Sequence, residues 1–174
     1  VYYIAGGNTR YGSKNTPVQY RIYRYDIYNG KFEEKLNINT DNATDILGSQ
    51  TGIISKVTSI TADDNDSLYF VTDNKRIIKV SVDGKTEKIY NNPEALEISS
   101  LRYINGDIYF YEALHNEGNI KAVNADKQVV WTCSFAGDGS SDGTFSGIEI
   151  KGIDNNNIYV GMQRNNAKGW KNNN

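Results

Sequence analysis

The sequence predicts an all-β fold, a β-propeller built from four-stranded antiparallel blades, on three observations. An aromatic strand recurs at residues 1–4 (Val-Tyr-Tyr-Ile), 68–71 (Leu-Tyr-Phe-Val), 108–111 (Ile-Tyr-Phe-Tyr) and 158–161 (Ile-Tyr-Val-Gly). Its tyrosines at positions 2, 69, 109 and 159 stand 67, 40 and 50 residues apart, and periods of about 40–50 residues with several strands each are the signature of propeller blades. Asn-Gly at 29–30 and 105–106 and Asp-Gly at 83–84 stand between alternating runs, the strongest short hairpin signal. Finally, thirteen Tyr against two Pro suit a chain of many short strands, because aromatic residues fit the pleated surface and Pro breaks its ladder.

The elements follow in chain order, each strand as an alternating or aromatic run and each turn as a break in it. The first blade part, 1–39, has a strand at 1–5, a polar loop at 6–19, an alternating run at 20–28, the Asn29-Gly30 turn and a return at 31–38. A polar connector at 39–51 carries a short helical turn around 43–47. The second part, 53–90, is the complete unit: strands at 53–62, 68–72, 77–82 and 86–90. The third, 96–135, repeats the scheme at 96–104, 107–112, 120–124 and 129–135. The fourth, 147–163, has strands at 147–153 and 157–163, and residues 164–174 form a polar, Asn-rich tail.

Within the second unit, Phe70-Val71-Thr72-Asp73-Asn74-Lys75-Arg76-Ile77, followed by Val80 and Asp83-Gly84-Lys85, resembles the NHL and YWTD types of β-propeller repeat. The resemblance covers about 25 residues of one blade and is loose elsewhere: residues 108–112 lack the Thr-Asp, and Gly161-Met162 replaces it in the last unit. It implies a propeller and leaves the partner open. Two complete and two partial blades imply a single domain, 1–174, that is incomplete or belongs to a six- to eight-bladed ring completed by further chain segments or a second copy. A four-bladed closure, in which the chain ends share one blade, is the alternative.

Composition narrows the function. A net charge of -2, a pI near 5.4 and singly scattered Lys and Arg leave no basic stripe for a nucleic-acid backbone. No apolar run approaches the roughly 20 residues of a membrane-spanning helix. The single Cys133, among apolar neighbours, reads as a buried inert thiol, and the single His115 excludes a multi-histidine metal cluster. Neither a cofactor nor a metal is expected. Richness in Asn, Ile, Lys and Tyr suggests a bacterial origin, and with it an extracellular or cell-surface setting.

Function is expected on the variable connections held by the rigid blades. In an up-and-down blade the two-to-three and four-to-one connections share one face, here residues 6–19, 39–52, 73–76, 91–95, 115–119 and 137–144. The candidate ligand-binding residues on it are Arg10, Tyr11, Asp73, Arg76, His115 and Glu117, with Lys75, Asp138, Asp142 and Arg164 beside them. Planar guanidinium groups and Tyr rings among carboxylates suit a protein or a polysaccharide. The expectation is a non-catalytic binding module. The alternatives are a glycan-active lyase or hydrolase drawing on Tyr11, His115, Asp138 and Asp142, or a structural scaffold. The Gly-Asp-Gly-Ser-Ser-Asp-Gly-Thr run at 137–144 has neither calcium-loop spacing nor that of the sialidase Asp-box.

Overall fold

The computed structural model describes residues 2–6, 20–39, 41–42, 44, 46, 57–73, 75–115, 117–136, 145–154 and 157–164. Thirteen strands form four antiparallel sheets. The first holds β1 (Tyr2–Gly6), β2 (Tyr20–Asp26) and β3 (Lys31–Ile38); the second, β4 (Val57–Ala62), β5 (Leu68–Thr72), β6 (Arg76–Val80) and β7 (Thr86–Asn91). The third holds β8 (Glu97–Ile104), β9 (Asp107–Ala113), β10 (Glu117–Val123) and β11 (Val129–Ala136), and the fourth β12 (Phe145–Ile153) and β13 (Ile158–Arg164). Every sheet pairs its strands in sequence order, so two four-stranded meanders stand where the sequence places complete blades. The Ile46 amide donates to the Asn42 carbonyl, the i-to-i−4 bond of a helical turn in the 39–51 connector.

Contacts divide the chain into two compact units, Val1–Asn92 and Pro93–Asn174. In the first, the inward positions of β2 and β3 (Ile22, Ile38) meet Leu68, Phe70, Ile78 and Val80 of the second sheet. Alternation with a period of two puts those residues on one face of each sheet. In the second unit, Tyr111 and Ile120 of the third sheet pack on Ile148 and Ile150 of β12. Tyr111 lies flat over Gly118: a Cβ there would sit 2.6 Å from its hydroxyl oxygen, so only Gly permits that approach.

The first strands of both four-stranded sheets carry the same irregularity. β4 is bulged between Thr58 and Ile60, and β8 between Ser99 and Arg102. Ser59 and Ser100 hold the left-handed conformation there, with φ of 46° and 59°, a geometry costing a non-Gly residue about 1–2 kcal/mol. Ser100 offsets some of that cost, because its hydroxyl accepts the Ile150 amide of β12 at 2.6 Å.

Two features differ from the sequence expectation. The connections after β5 and β9 are tight turns rather than long loops: Lys75 N–H donates to Thr72 O at 3.1 Å, and Leu114 N–H to Glu117 O at 2.8 Å. Their polar residues read as loop, yet β6 begins at Arg76 and β10 at Glu117. Cys133 is half-exposed rather than buried, because it lies on β11, the last strand of its sheet.

Candidate functional site

The expected binding residues fall into local constellations at the loop ends of the sheets. In the first unit, left-handed Asp73 (φ 54°) turns the chain after β5, which an Asp side chain tolerates. Arg76, one turn on, forms an ion pair with it. Tyr20, at the start of β2, lies close by: burial pushes its hydroxyl up, a hydrogen bond with the Val57 backbone works against this, and the Asp73 charge adds to it. The buried hydroxyls of Thr58 and Thr72 at this end have no hydrogen-bond partner among the described residues. The Asp73 carboxylate and Arg76 guanidinium therefore engage each other.

In the second unit, His115 sits within the tight turn and Glu117 opens β10. Glu117 accepts a hydrogen bond from the Asn119 amide at 3.1 Å, and Asn119 Oδ1 accepts from the Ser134 hydroxyl at 2.6 Å. Arg10, Tyr11, Asp138 and Asp142 lie outside the described residues. Arg164 ends β13, where it pairs with Phe145. Among the described residues no group of three or more His, Cys, Asp or Glu is placed to hold a metal ion, and no helix is long and apolar enough to cross a membrane.

No family model matches the chain, and no curated protein matches it.

Three further constellations escaped the sequence reading. The first is an ion pair between fully buried Glu112 of β9 and Lys121 of β10; the one sequence signal is a charged residue at the end of an aromatic strand. A buried pair of this kind is structural, since removing one partner strands the other charge at a cost of about 3–5 kcal/mol.

The second is the β2–β3 hairpin. Tyr25 and Phe32, paired across the strands, stack at 4.7 Å, and Tyr23 meets Phe32 edge-on at 6.4 Å. Ile27 and Tyr28 at the tip are solvent-exposed, Tyr28 by 92%. With Asp26 and Lys31 these rings border a shallow cleft of about 510 Å³. Behind it, Arg24 contacts both Asp66 oxygens at 3.0 and 2.8 Å and Glu33 at 2.7 Å, while Lys35 reaches Glu33 at 2.9 Å and Asp66 at 3.2 Å. The Lys35 ammonium, helped by Arg24, holds the Glu33 carboxyl below its usual range. That network fastens the hairpin to the β4–β5 turn.

The third is a cleft of about 560 Å³ between the third and fourth sheets. Ile120, Trp131 and Cys133 form one wall, Ile158 and Val160 the other, and Asp107 and Asp154 lie at its end. Val129, Val130, Trp131 and Tyr159 are all exposed around it. Isolated exposed apolar residues are ordinary, but a contiguous group beside carboxylates marks an interaction surface.

Proposed function

We propose that the four sheets are blades of a β-propeller of the NHL/YWTD repeat type, and that the protein is a non-catalytic binding module of the bacterial cell surface or extracellular space. Its partner in this reading is a polypeptide. The observation that carries it is the exposed group of Trp131, Val129, Val130 and Tyr159 around an acid-ended cleft bordered by sheet edges. Aromatic anchors beside backbone ladders are how extended peptides are recognised. The loop-end charges support the non-catalytic part: Asp73 is paired with Arg76 and Glu117 holds Asn119, which ties them to structural partners.

One observation favours a glycan instead: the Tyr25–Phe32 stack with exposed Tyr28, beside Asp26 and Lys31. Sugar rings stack on such faces, and carboxylates accept their hydroxyl protons. The test sets a displayed library of extended peptides against a panel of bacterial and host polysaccharides, recording retained mass and released fragments. The polypeptide reading expects peptides to be retained and Trp131→Ala to weaken them about tenfold, the loss of about 1.4 kcal/mol expected of an interfacial aromatic anchor. Polysaccharide retention abolished by Tyr28→Ala, with no peptide retained, transfers the function to the hairpin. Released fragments make the protein an enzyme.

A further inference from the structure

The second sheet contains a three-residue device, and the fourth sheet displays two thirds of it. In the β4–β5 turn, Asp63 Oδ1 accepts the amides of Asn65 and Ser67 at 2.9 Å each, and the Asp63 amide donates to the Ser67 carbonyl at 3.0 Å. The Tyr69 hydroxyl donates to Asp63 Oδ2 at 3.2 Å. The third member comes from the neighbouring strand. Lys79 of β6 lies directly opposite Tyr69, its ammonium 5.2 Å from the ring centroid and 3.5 Å from Asp63 Oδ2. A cation over an aromatic face and beside a carboxylate gains from both.

The β12–β13 turn repeats the first two members. Asp154 Oδ1 accepts the Asn157 amide at 2.8 Å, the Asp154 amide donates to the Asn157 carbonyl at 3.0 Å, and the Tyr159 hydroxyl donates to Asp154 Oδ2 at 2.8 Å. Here the third strand is missing: among the described residues β13 pairs with β12 alone. Tyr159 is accordingly 54% exposed, whereas Tyr69 is 6% exposed. On the opposite face of β13, Ile158 and Val160 look into the cleft walled by Ile120, Trp131 and Cys133. In the second sheet the equivalent space is filled by Ile78 and Val80 of β6, which flank Lys79 and pack in the core.

We infer that β13 accepts an additional antiparallel strand from a partner polypeptide with the pattern aliphatic-basic-aliphatic. The two aliphatic side chains enter the cleft, and the basic one lies over Tyr159 and pairs with Asp154. Unmet ladder groups on an edge strand supply the main-chain hydrogen bonds. The charge complementarity comes from Asp154 and Asp107 at the end of the cleft. This rests on the polypeptide-binding reading and names the partner's chemistry.

The test is fluorescence anisotropy of the full chain with a labelled peptide copying residues 76–91, the β6–β7 hairpin. Binding is expected, with Lys79→Ala in the peptide weakening it about tenfold, the combined worth of a cation–π contact and an ion pair. Asp154→Asn in the protein should erase most of the difference between the two peptides. Equal binding of both peptides to wild-type protein overturns the inference. If library peptides still bind in a Trp131-dependent way, the polypeptide-binding reading stands without it. Concentration-dependent dimers in sedimentation, dispersed by a proline at position 160, would give the edge to a second copy and overturn the inference as well. If no peptide of any kind binds, both readings fall together.

Discussion

The second and fourth sheets begin alike and end differently. Each opens with a strand, an Asp-capped turn and an aromatic strand whose Tyr hydroxyl returns to that Asp. In the second sheet two more strands follow, and the Tyr, the Asp and the central Phe70 are all covered. In the fourth, the same residues stand at an edge beside a cleft. The difference teaches that the aromatic strand is a receiver. Its side chains acquire their structural weight only when a third strand lies against them.

Replacing Phe70 by Ala should show that weight most clearly. A fully buried Phe costs about 3–5 kcal/mol on truncation, whereas Val160→Ala, on the equivalent rung of the fourth sheet, should cost about 1 kcal/mol. Urea unfolding measures both, and equal costs would break the comparison. Asp63→Ala comes next, at about 1–3 kcal/mol, because it leaves the Tyr69 hydroxyl and the turn amides without their acceptor. Asp154→Ala, at an exposed turn, should cost less than about 1 kcal/mol in the same measurement.

Acid should separate the two sheets further. Burial tends to raise the Asp63 carboxyl, but the amides of Ser67 and Asn65 and the hydroxyls of Ser67 and Tyr69 outweigh it and hold the carboxyl below the ordinary carboxylate value. A group depressed on folding adds stability that is present above its unfolded pKa, about 4, and lost as pH falls through the lower folded value. Thermal melts between about pH 5 and pH 2 should therefore fall less steeply for Asp63→Asn than for the wild type. The smallest effect belongs to Lys79→Met, about 0.5–1 kcal/mol, since the ammonium is partly solvated and the replacement keeps its aliphatic stem. A larger loss would mean that the cation holds Asp63 and Tyr69 together more tightly than the geometry indicates.

The strands were legible because an aromatic run followed by an Asp-Gly or Asn-Gly break is a local signal. β5 matches the expected 68–72, and β8 and β9 begin or end within one residue of the expected runs. Site chemistry was legible less well, because it depends on partners distant in sequence. Asp73 and Arg76 were picked out as separate binding groups, and they spend their charges on each other. Residues 115–119 read as a loop on account of polarity, while Glu117 and Asn119 are strand residues whose side chains bond along the ladder. Glu112 and Lys121 meet diagonally across two strands, a register no single-strand pattern reveals. The Asp–Tyr device had a signal that passed unused: an Asp six residues before Tyr69 and five before Tyr159.

Cys133 contributes something different. It is the chain's single thiol, half-exposed, and forms part of the wall that an incoming strand would cover. Any occupant of that space must shield the sulfur from solvent, so the rate at which iodoacetamide alkylates the native protein becomes a clock for how often the cleft stands open. Trp131, in the same wall, would report the same event optically through its emission.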